Sequence, residues 1–234
     1  MLAQSNIIAI SGLKNSGKDT AAKMLQYLLN APKWARTYWF YKNLPWLGKI
    51  NKKWKIKSFA HPIKKMLAVL LNRPVSDFDN REFKEKWYVT FPTLKLVSYQ
   101  NVPKNKILSD NRFSKMAKAL DTSLINNYYL SIRQLMQFFG TDIMRTYFGD
   151  GLWTWATLTA NNIIVSDLRF KIEMDILKSK PNTKVIYINR KNCLPGQHAS
   201  EQEVIKMKKE NKYDFIIDNN KCLGELFEEI KKLI

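Results

Sequence analysis

Short apolar runs alternate with amphipathic ones along the chain. Residues 6–11, Asn-Ile-Ile-Ala-Ile-Ser, are a β-branched run that ends in a glycine-rich turn, and residues 17–30 carry a helical period. The same alternation recurs. A second strand is predicted at 54–60 with a helix over 62–72, and a third strand at 162–167 with a helix over 170–179. A fourth strand is predicted at 184–189 with a helix over 200–211, and a fifth at 214–218 before a last amphipathic helix reaching Ile234. The five read as strands of buried type, as strands are when both faces are covered. They predict an α/β fold with a five-stranded parallel sheet and helices on both faces. The stretch from about 80 to 150 lies between the second and third strands and reads as a helical insertion. Its clearest piece is 131–148, where Ser131 and Gln134 form a capping-box signature and Leu135, Met136, Phe138 and Phe139 an apolar face.

Length adds that one core is enough. A chain of 234 residues and 27.5 kDa has a folded area of roughly 11,000 Å² against roughly 40,000 Å² unfolded, so about 72% of its surface can be buried without staples. One domain with an insertion is expected. No apolar run approaches the length of a membrane span, and the N-terminus lacks the basic and apolar regions of a signal peptide. Cys193 and Cys222 cannot build a disulfide framework and fit a reducing compartment, so a cytoplasmic protein is expected. Charge changes the picture more. There are 39 basic residues against 20 acidic ones, net +19. Residues 1–76 hold 14 Lys or Arg and one acid, Asp19. Such a field favours anionic partners: nucleotides, nucleic acid or an anionic membrane.

The first turn carries the sharpest chemistry. Gly12-Leu13-Lys14-Asn15-Ser16-Gly17-Lys18-Asp19-Thr20 is G-x-x-x-x-G-K between a strand and a helix. Glycines let the backbone wrap a phosphate, successive N–H groups point inward, and the helix start adds positive potential. Lys14 to Thr20 are therefore candidate ATP ligands, with Lys18 supplying a full charge to the β and γ phosphates. The residue after the lysine is Asp19, and the hydroxyl follows at Thr20. That spacing is nearer to small-molecule kinases of the adenylate kinase type than to GTPases. Asp19 either reaches Mg²⁺, through water, or caps the helix.

Other clusters fall where strands end, which is where open α/β sheets bind ligands. Asp167, Arg169 and Glu173 follow the third strand and suit a phosphate, a sugar or a hydrated Mg²⁺, or else form a surface ion-pair group. Arg133, Gly140 and Arg145 lie on the insertion helix, and Trp153 and Trp155 just beyond it. Arg190 ends the fourth strand, before a Pro/Gly loop and His198, Ala199, Ser200 and Glu201. A mobile loop bearing Arg can close over ATP. Residues 33–57 hold eight basic residues, no acids, and Trp34, Trp39, Trp46 and Trp54 beside Tyr38, Phe40 and Tyr41. That composition reads either as an insertion packing its rings on the body or as a single-stranded nucleic-acid surface.

In this order, residues 12–20, 131–153, 163–173, 185–201 and 213–220 resemble the deoxynucleoside monophosphate kinases of bacteriophages and some large viruses. The resemblance implies a P-loop kinase fold with a helical monophosphate-binding part near 75–155 and a lid near 190–203. The basic segment 33–57 has no counterpart in it. It also implies Mg²⁺-dependent transfer of the ATP γ-phosphate to a deoxynucleoside 5′-monophosphate, with deoxy substrates preferred to ribo, and a host-cell cytoplasm if the source is viral. Lys18, Arg169 and Arg190 would then be catalytic. Arg133, Gly140, Trp153, Asp167, Arg169 and Glu173 would face the monophosphate, with Gln134 and Thr141 in the same motif. A homodimer is a candidate assembly. The competing readings are another small P-loop kinase, of the dephospho-coenzyme A or phosphomevalonate type, and a nucleic-acid-binding P-loop protein.

Overall fold

The structure, a computed structural model, describes residues 2, 6–91, 94–107, 128–194 and 199–234. The chain begins with β1 (Ile7–Ser11), α1 (Lys18–Asn30), α2 (Tyr38–Asn43), β2 (Lys55–Lys57) and α3 (His61–Leu70). It continues through α4 (Arg81–Lys86), β3 (Trp87–Phe91), β4 (Leu96–Ser98), β5 (Tyr128–Ser131), α5 (Ile132–Gln137), α6 (Met144–Phe148) and α7 (Leu152–Thr157). It ends with β6 (Ile163–Leu168), α8 (Lys171–Lys178), β7 (Thr183–Asn189), α9 (Ala199–Lys209), β8 (Phe215–Asp218) and α10 (Leu223–Lys231). Two compact units divide it: residues 1–59 with 154–234, and residues 60–153.

The first unit holds the five predicted strands in one parallel sheet, ordered β2-β6-β1-β7-β8. Ile8, Ile10, Ile164, Ile186, Ile188 and Ile217 face one core with Leu25 and Leu28 of α1 and Leu226, Phe227 and Ile230 of α10. Strand side chains alternate, so Ile7, Ala9, Ile163, Val165, Val185 and Tyr187 take the other face. All six are buried, as are Met174 and Leu177 of α8 and Val204 and Met207 of α9. Each such fully buried aliphatic contributes roughly 1.5–3 kcal/mol. Helices therefore cover both faces. Because β1 lies between β6 and β7 and all run parallel, the turns after these three strands open on one edge.

Residues 33–57 join the same unit. Ala35, Leu47 and Trp54 enter its core, and Tyr38, Phe40, Tyr41 and Leu44 pack against it. The rings of Tyr38 and Tyr41 lie 5.8 Å and 5.5 Å from that of Phe227.

The second unit departs from the all-helical reading of 80–150. It contains an antiparallel sheet ordered β4-β3-β5. Residues 87–91, Trp-Tyr-Val-Thr-Phe, are aromatic and β-branched, a strand composition, and they find β5 as a partner far along the chain. The unit starts at Ala60 because α3 supplies Leu67 and Ala68 to its core, beside Phe78, Phe83, Val89, Leu130, Ile132, Leu135 and Phe138. Ser131 caps α5 as expected: its Oγ accepts the Gln134 N–H, and Gln134 Oε1 accepts the Ser131 N–H. A π-helical turn, Phe138–Ile143, separates α5 from α6. Residues 108–127 of the predicted helical stretch lie outside the described residues. No helix among them is long and apolar enough to cross a membrane, and both cysteines are free.

Candidate active site

The loop after β1 is shaped by two glycines that tolerate no side chain. A Cβ on Gly12 would stand 2.5 Å from Ser16 Oγ and 2.8 Å from Ile188 O. Gly17 has φ +92°, and a Cβ there would strike Asn219 Nδ2. No side chain caps α1 at Gly17, so the first N–H groups of that helix point out of it without a capping oxygen. Ser16 Oγ is buried and has no hydrogen-bond partner among the described residues. A nest of donors with an unsatisfied hydroxyl fits an oxyanion such as a phosphate.

Neighbouring strand ends brace this loop. Asn219, just past β8, donates from Nδ2 to Ser16 O at 2.8 Å, and its own N–H goes to Asn189 O at 2.7 Å. Arg190 donates to Asn15 O at 3.3 Å. Glu201 of α9, itself buried, accepts the Lys14 N–H at 3.2 Å. The Tyr213 hydroxyl lies 3.1 Å from Ser11 Oγ, and burial pushes its pKa up to about 12. Of these, Asn219 and Tyr213 are not singled out from sequence. The signal for Asn219 was present, a polar residue immediately beyond a strand on the edge where the other candidates gather.

Lys18 is 7% exposed and reaches Leu13 O at 3.5 Å. Burial lowers its pKa, the Arg169 guanidinium lowers it further, and Asp19, Asp167 and Glu201 act in the opposite sense. The sheet order thus brings Lys18 and Arg169 within each other's field. Asp167 is engaged with the backbone: its carboxylate accepts the Phe59 N–H at 2.8 Å and the Ser58 hydroxyl at 2.9 Å. Glu173 Oε2 accepts the N–H groups of Arg169 at 2.9 Å and Phe170 at 3.0 Å. It closes the start of α8 and holds the backbone from which Arg169 projects. Asp19 is exposed in the first turn of α1, with Thr20 next to it.

On the second unit the expected residues divide. Arg133 is half exposed and pairs with Glu85 at 3.3 Å, and Thr141 is exposed. Gly140 and Trp153 are used in packing. The buried Trp153 indole donates to Gly140 O at 2.7 Å, and a Cβ on Gly140 would stand 2.7 Å from Ile63 Cδ1. Gln134 spends its side-chain oxygen on the cap of α5. Trp155, on the first unit, is exposed beneath Lys180 Nζ, 4.6 Å from its ring centre. His198 and residues 195–197 of the expected lid lie outside the described residues.

Among the described residues no group of three or more His, Cys, Asp or Glu could enclose a metal ion. Mg²⁺ needs no such cluster, because it keeps waters and binds through one or two carboxylates together with substrate phosphates, and the exposed Asp19 in the first turn of α1 is a carboxylate of that kind.

A parallel five-stranded sheet with a glycine-shaped phosphate loop after its central strand defines a P-loop kinase fold. The family model for deoxynucleotide monophosphate kinase matches residues 80–230. With well over half of its length matched, the chain belongs to that family. The match begins beyond the phosphate loop, so loop geometry and family membership support the class independently. No curated protein matches the chain.

Proposed function

We propose that the protein transfers the γ-phosphate of ATP, with Mg²⁺, to the 5′-phosphate of a deoxynucleoside monophosphate, releasing ADP and a deoxynucleoside diphosphate for DNA synthesis. One observation carries this reading beyond family membership. Lys18 is desolvated by burial, and the neighbouring Arg169 guanidinium disfavours its charge further, against the opposing pull of Asp19, Asp167 and Glu201. A buried cation beside another is costly unless an anion lies between them. A phosphate group relieves both costs.

The loop amides and Lys18 hold the β and γ phosphates. Arg169 faces the acceptor phosphate and shares charge with the γ group as an acceptor oxygen approaches the phosphorus and the β–γ bridging bond breaks. An ionised phosphate oxygen needs no general base, so none is assigned. Arg190, already on the loop carbonyl of Asn15, neutralises charge on ATP. Mg²⁺, when bound, would neutralise developing phosphate charge. Asp19 and Thr20 are the residues that would hold it, directly or through water. Asp167 and Glu173 act as positioning groups for the strand end and Arg169. For the second unit taken by itself, Arg133 and Thr141 are carried over from the family motif as the monophosphate ligands. Gly140, Gln134 and Trp153 shape the unit that carries them.

A coupled ADP-release assay over the four common dNMPs, with AMP and GMP as ribo controls, tests the proposal. Turnover with at least one dNMP, preferred over its ribo form and lost in Lys18→Ala with the fold retained, is the expected result. No turnover with any dNMP would overturn it. A Lys18→Ala enzyme of normal rate would remove the loop from the mechanism.

A further inference from the structure

Residues 33–57 use their aromatic rings in two ways. Tyr38, Phe40, Tyr41 and Trp54 serve the core. Trp34, Trp39 and Trp46 do not: they are 66%, 61% and 56% exposed. Three indoles left in water within thirteen residues are an unusual apolar exposure for a soluble surface, and such patches mark binding sites.

These rings are held in place. Trp34 and Trp39 both meet Phe40 edge to face, with ring centres 5.4 Å and 5.0 Å from it, and Phe40 packs on the core. Thr37 caps α2, and Asn43 Nδ2 donates to Trp39 O at 2.8 Å. Trp46 rides a 3₁₀ turn, Pro45–Lys49, whose Leu47 and Gly48 are buried. A Cβ on Gly48 would stand 2.6 Å from the Tyr27 ring of α1, so this turn sits hard against the helix.

Charge selects the partner. Lys33, Lys42, Lys49, Lys52 and Lys53 are exposed before, between and after the indoles. The segment contains no acid, and no ion pair among the described residues reaches these lysines. A second copy of the same face would bring like charges together. A membrane-surface helix segregates its basic and apolar residues onto opposite sides and is rich in aliphatics. Here α2 has six residues, lysines and indoles are interleaved, and Ile50 is the one exposed aliphatic side chain among the described residues of the segment. Interleaved cations and flat rings suit a strand whose phosphates and unpaired bases alternate. We propose that this face binds single-stranded nucleic acid, with the three indoles stacking on bases and the lysines tracking phosphates.

Anisotropy of a labelled oligothymidylate of about 20 nucleotides, enough to span several stacking positions, tests this on the full chain. ADP and dTMP are added so that the nucleotide site is filled. Wild type should bind with an affinity that falls with salt, by about 0.7 in log–log slope per phosphate neutralised. Trp34→Ala/Trp39→Ala/Trp46→Ala should weaken binding by roughly 5- to 100-fold for each indole that stacks, while kinase turnover and melting temperature hold. The corresponding Phe variants should recover part of the loss. Lys33→Gln/Lys42→Gln/Lys49→Gln should flatten the salt slope. An abasic strand of equal length should bind wild type no better than the triple Ala variant binds oligothymidylate. Unchanged affinity in the triple Ala variant, or equal binding of abasic and base-bearing strands, overturns the proposal. So does an indole-dependent association with phosphatidylserine vesicles, or with a second copy, when oligonucleotide binding is absent.

Discussion

Glu173 separates a residue that aims Arg169 from one that touches substrate. Its carboxylate is buried at 2% exposure, and Oε2 alone accepts the N–H groups of Arg169 and Phe170. Glu173→Ala removes that acceptor from both. Each buried donor deprived of its acceptor costs roughly 1–3 kcal/mol. Arg169 and Phe170 are half buried, so water recovers part of the loss, and a total of about 2–4 kcal/mol is expected. At about 2–4 °C per kcal/mol for a chain of this size, the melting temperature should fall by roughly 5–15 °C. Glu173→Gln is the informative partner. Its carbonyl oxygen can take the place of Oε2 and accept both N–H groups, so most of the stability returns and about 1 kcal/mol is lost with the charge. Scanning calorimetry and the ADP-release assay are run on both variants. If Glu173 only holds the backbone under Arg169, kcat falls markedly in the Ala variant and recovers in the Gln variant, with KM for dNMP little changed in the latter. A Gln variant of normal stability whose KM rises tenfold or more would place Glu173 on the substrate. An Ala variant with an unchanged melting temperature would refute the cap itself.

Arg169→Ala should lower kcat by about 10²–10³, the cost of one preorganised group that stabilises transition-state charge. Arg169→Lys should recover little, because a point charge cannot span two oxygens as a planar fork does, and a normal kcat and KM in the Ala variant would leave Arg169 outside the chemistry. Lys18→Met should melt higher than wild type without ligand, since burial and Arg169 both disfavour the ammonium, and tripolyphosphate should stabilise wild type alone. The sign with pH follows from the lowered pKa: between its folded value and 10.5 the unfolded chain holds more protons, so wild-type stability rises with pH and the gap to Lys18→Met narrows. A Lys18→Met protein that melts lower than wild type at neutral pH would show that the site is not electrostatically strained.

Much of the catalytic unit is written locally. Three apolar, β-branched-rich runs become β1, β6 and β7, the buried middle of the sheet, and the shorter, more exposed β2 and β8 pair at its two edges. The spacing of Gly12, Gly17 and Lys18 builds the phosphate loop because backbone freedom and the helix start are properties of adjacent residues. Ser131 and Gln134 announce a helix start for the same reason.

Sequence alone determined, then, the alternation that makes an α/β sheet, the loop after β1, and the excess of positive charge. Tertiary structure decided what pattern cannot, namely which neighbour each side chain meets. The sheet β4-β3-β5 stayed hidden because its strands are short and β5, which pairs with β3, is distant in sequence. Asn219 and Glu201 reach the loop only because β7 lies beside β1 and β8 beside β7. Glu173, Gln134, Gly140 and Trp153 carry the residue types of a ligand site, yet nearby backbone groups and Ile63 take up their contacts. Trp54 and Trp46 are the same residue in the same segment; one fills the core and the other faces water, because burial depends on what the folded chain places opposite each ring.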